Sequence, residues 1–271
     1  LHILFENSGV QKGDTIALCG RNSSHWAVAF LATLTYGAVA VPIQHEFTPD
    51  QIHNIVNHSD SKLLFVGDIV KTQITPDAMP GLEGIVYLPD FSIVVARTEK
   101  LVFAREHLNE IFGQRYPKYF RKEHVHYYKE QSPEELAMIN YTSGTTGFSK
   151  GVMLPYRAIW GNLDHILKCL SPNVKPGSNL VSILPMAHMY GLAVEFLFGF
   201  IGGCHIYFLN RLPSPSLIAE AFAEVKPRLI VAVPLVVEKI IRRKVLTEVQ
   251  TSRMKILLNM PVISKKIKQH I

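Results

Sequence analysis

The sequence has few cysteines, few charged residues and no dense cluster of basic residues. Its three cysteines, Cys19, Cys169 and Cys204, are odd in number, far apart and in no CxxC pair. We therefore predict neither a disulfide framework nor a cysteine zinc site, and a cytoplasmic protein fits this usage best. The net charge is +6, but only 18% of residues are charged, so we do not expect nucleic-acid binding. Residues 1–8 have no basic stretch before an apolar core, and we expect no targeting signal.

A long uninterrupted apolar run is also missing. The most apolar stretch, residues 189–209, contains Glu195 and His205. Gly202 separates a helical pattern from a β-rich one within this stretch. A charged residue inside a membrane span is costly, so we favour a buried helix followed by a strand.

The first 74 residues alternate between strand and helix patterns, in a chain of 271 residues that is 48% apolar. Thr48, Pro49 and Gln51 combine an N-cap, a proline at the first helical position and a capping-box partner. We predict strands at 15–19, 38–43 and 63–66, and helices at about 22–36 and 48–58. This alternation is typical of a parallel sheet covered on both faces.

The remaining sequence divides into two parts. Residues 75–130 fit the alternation less well, apart from a strand-like segment at 85–88, and we interpret them as an insertion or lid-like excursion. The alternation resumes in residues 131–271. There we predict strands at 137–141, 151–154, 180–184, 204–208 and 229–233, and helices at 156–170, 190–200, 216–224 and 235–245. The predicted fold class is a layered α/β/α fold with mostly parallel sheets.

Residues 141–152, YTSGTTGFSKGV, are the most informative stretch. Glycines let a backbone approach an anion closely, so that successive N–H groups converge on it, and hydroxyls and a lysine add further donors. This composition predicts a phosphate-binding loop, with a nucleotide polyphosphate as its ligand.

Three common loop types do not fit. A Walker A loop needs a hydroxyl residue after its lysine, whereas Gly151 follows Lys150. Gly144 and Gly147 lack the third glycine of the dinucleotide fingerprint. No GxSxG pattern is present, so nothing identifies Ser143 as an acylating nucleophile.

The loop closely resembles the YTSGTTGxPKGV pattern of the adenylate-forming superfamily, differing only at Ser149, where that family usually has proline. The resemblance continues upstream, where residues 9–43 are similar to the family's first βαβ unit. Downstream, residues 184–191, LPMAHMYG, are similar to its LPxxHxxG segment. Within the superfamily the chain looks most like the long-chain fatty acyl-CoA ligases.

The resemblance implies ATP-dependent activation of a fatty acid to an acyl-adenylate and then to acyl-CoA, with ATP, Mg²⁺ and CoA taking part. Lys150 and His188 would be the catalytic residues, with His188 orienting the carboxylate. Tyr190 and Gly191 would line the acyl channel. The β- and γ-phosphates of ATP would be held by Thr142, Ser143, Gly144, Thr145, Thr146, Gly147 and Lys150.

Several elements of that family are not found in this sequence: a YGxTE-like segment, a ribose-binding aspartate, a hinge and a mobile C-terminal domain with a second lysine. We therefore expect the chain to be the N-terminal part of the large catalytic domain and inactive alone. Two alternatives stay open, a non-catalytic nucleotide- or acyl-binding module and an activator of an amino or aryl acid.

Other residues carry weaker signals. His124 and His126 share one face of a predicted strand but have no third ligand nearby, so we expect no metal site. His53 and His58 fit no ligand spacing, and we interpret them as solvated. Basic residues near position 271 make peripheral membrane contact plausible.

Overall fold

Nine strands form two sheets in the computed structural model, which describes residues 1–116, 121, 132–142, 150–209, 211, 214–234 and 238. The larger sheet contains β1 (Thr15–Cys19), β2 (Val39–Ile43), β3 (Leu63–Val66), β4 (Gly84–Tyr87), β5 (Ile93–Ala96), β6 (Leu136–Thr142) and β7 (Lys150–Pro155). The smaller sheet contains β8 (Asn179–Ser182) and β9 (His205–Phe208). These counts refer to the described residues.

The described residues also form eight α-helices and two other helical turns. The α-helices are α1 (His2–Ser8), α2 (Ser24–Tyr36), α3 (Pro49–His58), α4 (Asp68–Gln73), α5 (Glu99–Arg115), α6 (Tyr156–Leu170), α7 (Phe198–Ile201) and α8 (Pro215–Val225). A 3₁₀ turn spans Pro76–Ala78, and a π-helix spans Gly191–Leu197 and continues directly into α7.

The larger sheet has the strand order β5-β4-β3-β1-β2-β6-β7. Its neighbours are parallel except at the two edges, where β5 is antiparallel to β4 and β7 is antiparallel to β6. In β1, Ile16 and Leu18 belong to one apolar cluster, whereas Ala17 and Cys19 belong to another. The first cluster includes residues of α1, α2, α5 and α6, and the second includes residues of α3 and α4. Helices thus cover both faces, which confirms the predicted fold class.

Local sequence signals set the helix ends. The Ser23 hydroxyl accepts a hydrogen bond from the Trp26 N–H and so caps α2, which ends at Gly37 with φ of 86°. Glycine reaches this left-handed conformation at little cost. Both arms of the predicted capping box are present at the start of α3, between Thr48 and Gln51. These helices begin and end close to their predicted bounds.

Part of the segment interpreted as an excursion continues the sheet. Strand β4 pairs in parallel with β3, and β5 pairs with β4. Helix α5 packs against α1. Periodicity did not show this, because β5 is a partly exposed edge strand and α5 buries only Leu101 and Ala104.

The interpretation of His53 as solvated is wrong. Its side chain is buried, and its Nε2 accepts a hydrogen bond of 3.0 Å from the Thr75 N–H. Thr75 follows α4, so the partner comes from outside the helix that carries His53. Spacing within α3 therefore held no information about it.

The apolar stretch at 189–209 forms a helix and then a strand, as predicted. In the described part of the chain, no helix is both long and apolar enough to cross a membrane. The predicted strand at 229–233 is reduced to a single bridge between Leu229 and Leu180. His124, His126, the basic residues near position 271 and nearly all of the predicted 235–245 helix lie outside the described residues, so those interpretations stay predictions.

Candidate functional site

The two ends of the glycine-rich loop face each other across β6 and β7. Thr142, the last residue of β6, pairs with Lys150, the first residue of β7. Both residues are exposed. The antiparallel pairing therefore presents a hydroxyl and an ammonium side by side at one edge of the sheet. The predicted phosphate ligands Ser143, Gly144, Thr145, Thr146 and Gly147, together with Ser149, lie outside the described residues.

The strand that leads into the loop is held firmly. Tyr141 is buried, and its hydroxyl lies 2.7 Å from His58 Nδ1. Across the pair, a Cβ at Gly151 would lie 2.9 Å from Ile139 Cγ2 and 3.1 Å from Cζ of the Tyr141 ring. These distances are too short for a relaxed side chain, so Gly151 lets β7 pack closely against β6 here.

Residues 183–190, the histidine segment, connect β8 to the π-helix; residues 183–188 are irregular, and residues 189–190 are helical. The His188 N–H donates to the Pro185 carbonyl oxygen at 2.9 Å, and the Tyr190 N–H donates to His188 Nδ1 at 3.2 Å. Because Nδ1 accepts a hydrogen bond, the proton of the neutral imidazole is on Nε2. The ring is exposed and presents an N–H donor suited to a carboxylate.

One hydrogen bond joins the histidine segment to the strand before the glycine-rich loop. Asn140 in β6 is buried, and its Nδ2 donates to the Ala187 carbonyl oxygen at 3.0 Å. Asn140 lies two residues before Thr142, and Ala187 immediately precedes His188. The structure thus brings together two predicted site regions that are far apart in sequence.

A second amide fixes the same segment from the end of β1. Asn22 Nδ2 donates to the Leu184 carbonyl oxygen at 2.7 Å and to Ser182 Oγ at 2.9 Å. Asn22 Oδ1 accepts from the Met186 N–H at 2.8 Å. Ser23, not Asn22, caps α2, which leaves the Asn22 amide to make these contacts.

Glu195 of the π-helix is a buried carboxyl group that contacts the start of the segment. Its Oε2 accepts hydrogen bonds of 2.9 Å from the Ile183 and Leu184 N–H groups. Burial raises the pKa of Glu195 to about 8, and the hydrogen bonds to the carboxyl act in the opposite direction without cancelling this effect. The carboxyl is therefore largely protonated at neutral pH.

Gly191 and Tyr190 occupy different environments. A Cβ at position 191 would lie 2.5 Å from the Pro185 carbonyl oxygen and 3.0 Å from that of Leu184. The glycine thus lets the π-helix begin directly against the backbone of the histidine segment. Tyr190 is 51% exposed. The predicted role of both residues in lining an acyl channel stays a prediction.

A cavity of about 360 Å³ opens beside this region, at the carboxyl ends of β1 and β3. The connection from β1 leads to β2 on one side, whereas the connection from β3 leads to β4 on the other. Open α/β sheets generally bind ligands at such a switch point. Arg21, His25 and His45 line the cavity, and burial lowers the pKa of His45. Sequence reasoning did not identify these residues.

A smaller cavity of about 100 Å³ continues from this crevice toward the histidine segment. Arg21, Asn22 and His45 line both cavities, and Ile183 and Pro185 line the smaller one. The crevice, Asn22 and the histidine segment are therefore parts of one continuous region at the same edge of the sheet.

The model of the AMP-binding enzyme family matches residues 3–266, and the chain belongs to this family of adenylate-forming enzymes. Long-chain-fatty-acid–CoA ligase 5 of Rattus norvegicus is 29% identical to it over 258 residues, which are 92% of this chain and 36% of that protein. A long-chain-fatty-acid–CoA ligase of Escherichia coli O6:H1 is 28% identical over 237 residues, which are 80% of this chain and 41% of that protein.

The fold is also shared with a solved structure. Apo MatB from Rhodopseudomonas palustris aligns with a TM-score of 0.68 and 21% identity, over 90% of this chain and 44% of that one. The chain thus spans roughly two fifths of the length of the proteins that it matches. The resemblance read from the sequence motifs is confirmed at the level of the family.

Replacing Gly191 by alanine should destabilise the protein, because the new methyl group would overlap a backbone carbonyl that cannot move cheaply. We expect a loss of about 1–3 kcal/mol in urea unfolding. Gly161 in α6 is the matched control, since a Cβ there would meet nothing within 4 Å. Gly161→Ala should gain about 0.5–1 kcal/mol. Equal stability of the Gly191→Ala variant and the native protein would contradict the close packing.

The pKa of Glu195 also predicts a pH dependence of stability. The folded protein keeps a proton up to about pH 8 that the unfolded chain loses near its ordinary value of 4.5. The stabilisation from this proton is complete below the lower pKa, and it is lost as the pH rises through the higher one. Glutamine has no proton to lose, so Glu195→Gln should show a smaller fall in Tm between about pH 5 and pH 9. Parallel Tm curves for the two proteins would refute this.

Proposed function

We propose that this chain supplies the ATP-binding and carboxylate-binding parts of a fatty acyl-CoA ligase. The carboxylate oxygen of the acid attacks the α-phosphorus of ATP, and pyrophosphate leaves. The thiol of CoA then attacks the acyl carbon of the adenylate, losing its proton, and AMP leaves. A carboxylate is a poor electrophile until it carries such a leaving group, and this explains the need for ATP.

The observation that carries the proposal is the hydrogen bond from Asn140 to Ala187. Activation requires the acid and the phosphates to be held next to each other, since positioning contributes much of the rate in such transfers. This bond fixes the strand before the phosphate loop against the backbone that carries His188. The two predicted binding regions therefore share one support.

In this proposal, each end of the site has a distinct role. Lys150 and the Thr142 hydroxyl bind the terminal phosphates of ATP with its Mg²⁺, and the ammonium offsets the charge that builds up on the departing pyrophosphate. His188 donates its Nε2 hydrogen to one oxygen of the acid and so orients the other toward the α-phosphorus. The exposed positions of all three side chains are consistent with these roles.

A long-chain fatty acid is the proposed substrate. Two relatives that are long-chain-fatty-acid–CoA ligases match along 92% and 80% of this chain. The chain spans only 36% and 41% of those proteins. Complete turnover is therefore proposed for the polypeptide encoded by the whole reading frame that contains this chain, called the whole-frame polypeptide below.

Lys150→Ala should weaken ATP binding about tenfold or more, because a charged hydrogen bond to phosphate is lost. Isothermal titration of the whole-frame polypeptide with ATP and Mg²⁺ measures this. Lys175→Ala is the control, since Lys175 is also exposed and belongs to the connection between α6 and β8. Unchanged affinity in the Lys150 variant would remove Lys150 from the phosphate site.

Pyrophosphate release tests the activity itself. The whole-frame polypeptide is given ATP, Mg²⁺ and, in turn, palmitate, octanoate, acetate, benzoate or phenylalanine. We expect release with palmitate and a much lower rate with acetate and phenylalanine. Release only with benzoate or phenylalanine would favour an aryl- or amino-acid activator. ATP binding without release from any acid would favour a non-catalytic binding module.

A further inference from the structure

The carboxyl group of Glu195 stands out among the buried polar groups of the described residues. Glu195 is 2% exposed, and its Oε2 accepts hydrogen bonds from two successive backbone N–H groups, those of Ile183 and Leu184. Both groups belong to the start of the histidine segment. None of the ion pairs found among the described residues includes Glu195.

Burying this group is unfavourable for stability. Its second oxygen, Oε1, is buried and makes no close hydrogen bond within the described part of the chain, although the Ser182 hydroxyl lies near enough to the carboxyl to lower its pKa. An unsatisfied buried oxygen destabilises a fold, and the neighbouring cluster is built of apolar residues such as Leu192 and Phe196. Packing alone would favour a leucine or methionine here. What an apolar side chain cannot do is accept hydrogen bonds from the Ile183 and Leu184 N–H groups.

The backbone that carries these two N–H groups continues directly to His188. Leu184 precedes Pro185, whose carbonyl oxygen accepts the His188 N–H at 2.9 Å. Gly191, three residues after His188, packs against the carbonyl groups of Leu184 and Pro185. The π-helix therefore fixes the segment twice, through a side chain at Glu195 and through close backbone packing at Gly191.

We infer that Glu195 is a positioning residue that sets the placement of His188 for the acid substrate by holding the Ile183 and Leu184 amides. The inference rests on the proposed function. Glu195 touches neither substrate in this account, and it acts through the backbone of the histidine segment. Loss of its acceptor oxygen should displace the segment, weakening use of the acid while leaving ATP binding nearly intact.

The test compares Glu195→Leu, which removes both acceptors, with Glu195→Gln, which keeps one acceptor oxygen in the same place. Glu220 is exposed on α8, and Glu220→Leu and Glu220→Gln are the matched controls. Two measurements are made on the whole-frame polypeptide: amide hydrogen exchange of residues 183–190, and the KM values for palmitate and ATP with kcat from pyrophosphate release.

Glu195→Leu should accelerate exchange in the histidine segment and lower kcat/KM for palmitate about tenfold or more, since small displacements of reacting groups are costly. Its KM for ATP should change less than about twofold, a pattern that loss of stability alone does not produce. Glu195→Gln should be close to native at pH 7 and below, and both Glu220 variants should match the native protein.

The outcomes separate the inference from the proposed function. If the native protein releases pyrophosphate and Glu195→Leu keeps its native palmitate kinetics or its native exchange, the inference is wrong and the proposed function stands. If the native protein releases none with any acid, the proposed function fails and the inference fails with it. Should Glu195→Leu not fold, Glu195→Asp replaces it. The side chain of aspartate is one methylene shorter, so its carboxylate does not reach the Ile183 and Leu184 amides. The Glu195→Asp variant must therefore show the same loss of palmitate kcat/KM.

Discussion

The structure of the site depends on how the backbone of the histidine segment, residues 183–190, is hydrogen-bonded. This segment lies between β8 and the π-helix, and its residues 183–188 belong to no strand or helix that would satisfy their buried polar groups. Three side chains from three elements do so instead: Asn22 after β1, Asn140 in β6 and Glu195 in the π-helix. An unmade buried hydrogen bond costs about 1–3 kcal/mol, so these contacts define one conformation of the segment.

The sheet explains why these three residues meet. Strands β1, β2 and β6 are neighbours and parallel. The residues at their carboxyl ends therefore lie along one edge of the sheet, the edge formed by the strand ends. Asn22 follows β1, and Asn140 stands near the end of β6. The glycine-rich loop begins at the same edge, where Thr142 faces Lys150. Apolar clusters on both faces of the sheet hold this edge in place, and the exposed side chains of Thr142 and Lys150 lie there.

Much of this fold could be predicted from the sequence, because its signals are local. Apolar alternation and the Thr48 capping box define the first elements, and α6 was predicted over the residues that it occupies. The loop motif and His188 were recognised by their resemblance to a family. The supporting residues were not, since Asn22 and Leu184 are 162 positions apart, and Asn140 and Ala187 are 47 apart. No spacing rule along the chain reports such contacts, and the environment of Glu195 likewise depends on tertiary packing.

We propose that the β6–β7 loop and the histidine segment form a single site for ATP and a fatty acid. A crystal structure of the whole-frame polypeptide with a non-hydrolysable ATP analogue, Mg²⁺ and palmitate tests it most directly. We expect the terminal phosphates to contact Lys150 and the palmitate carboxylate to lie about 3 Å from His188 Nε2. Phosphates bound away from the loop, or a carboxylate out of reach of His188, would contradict it.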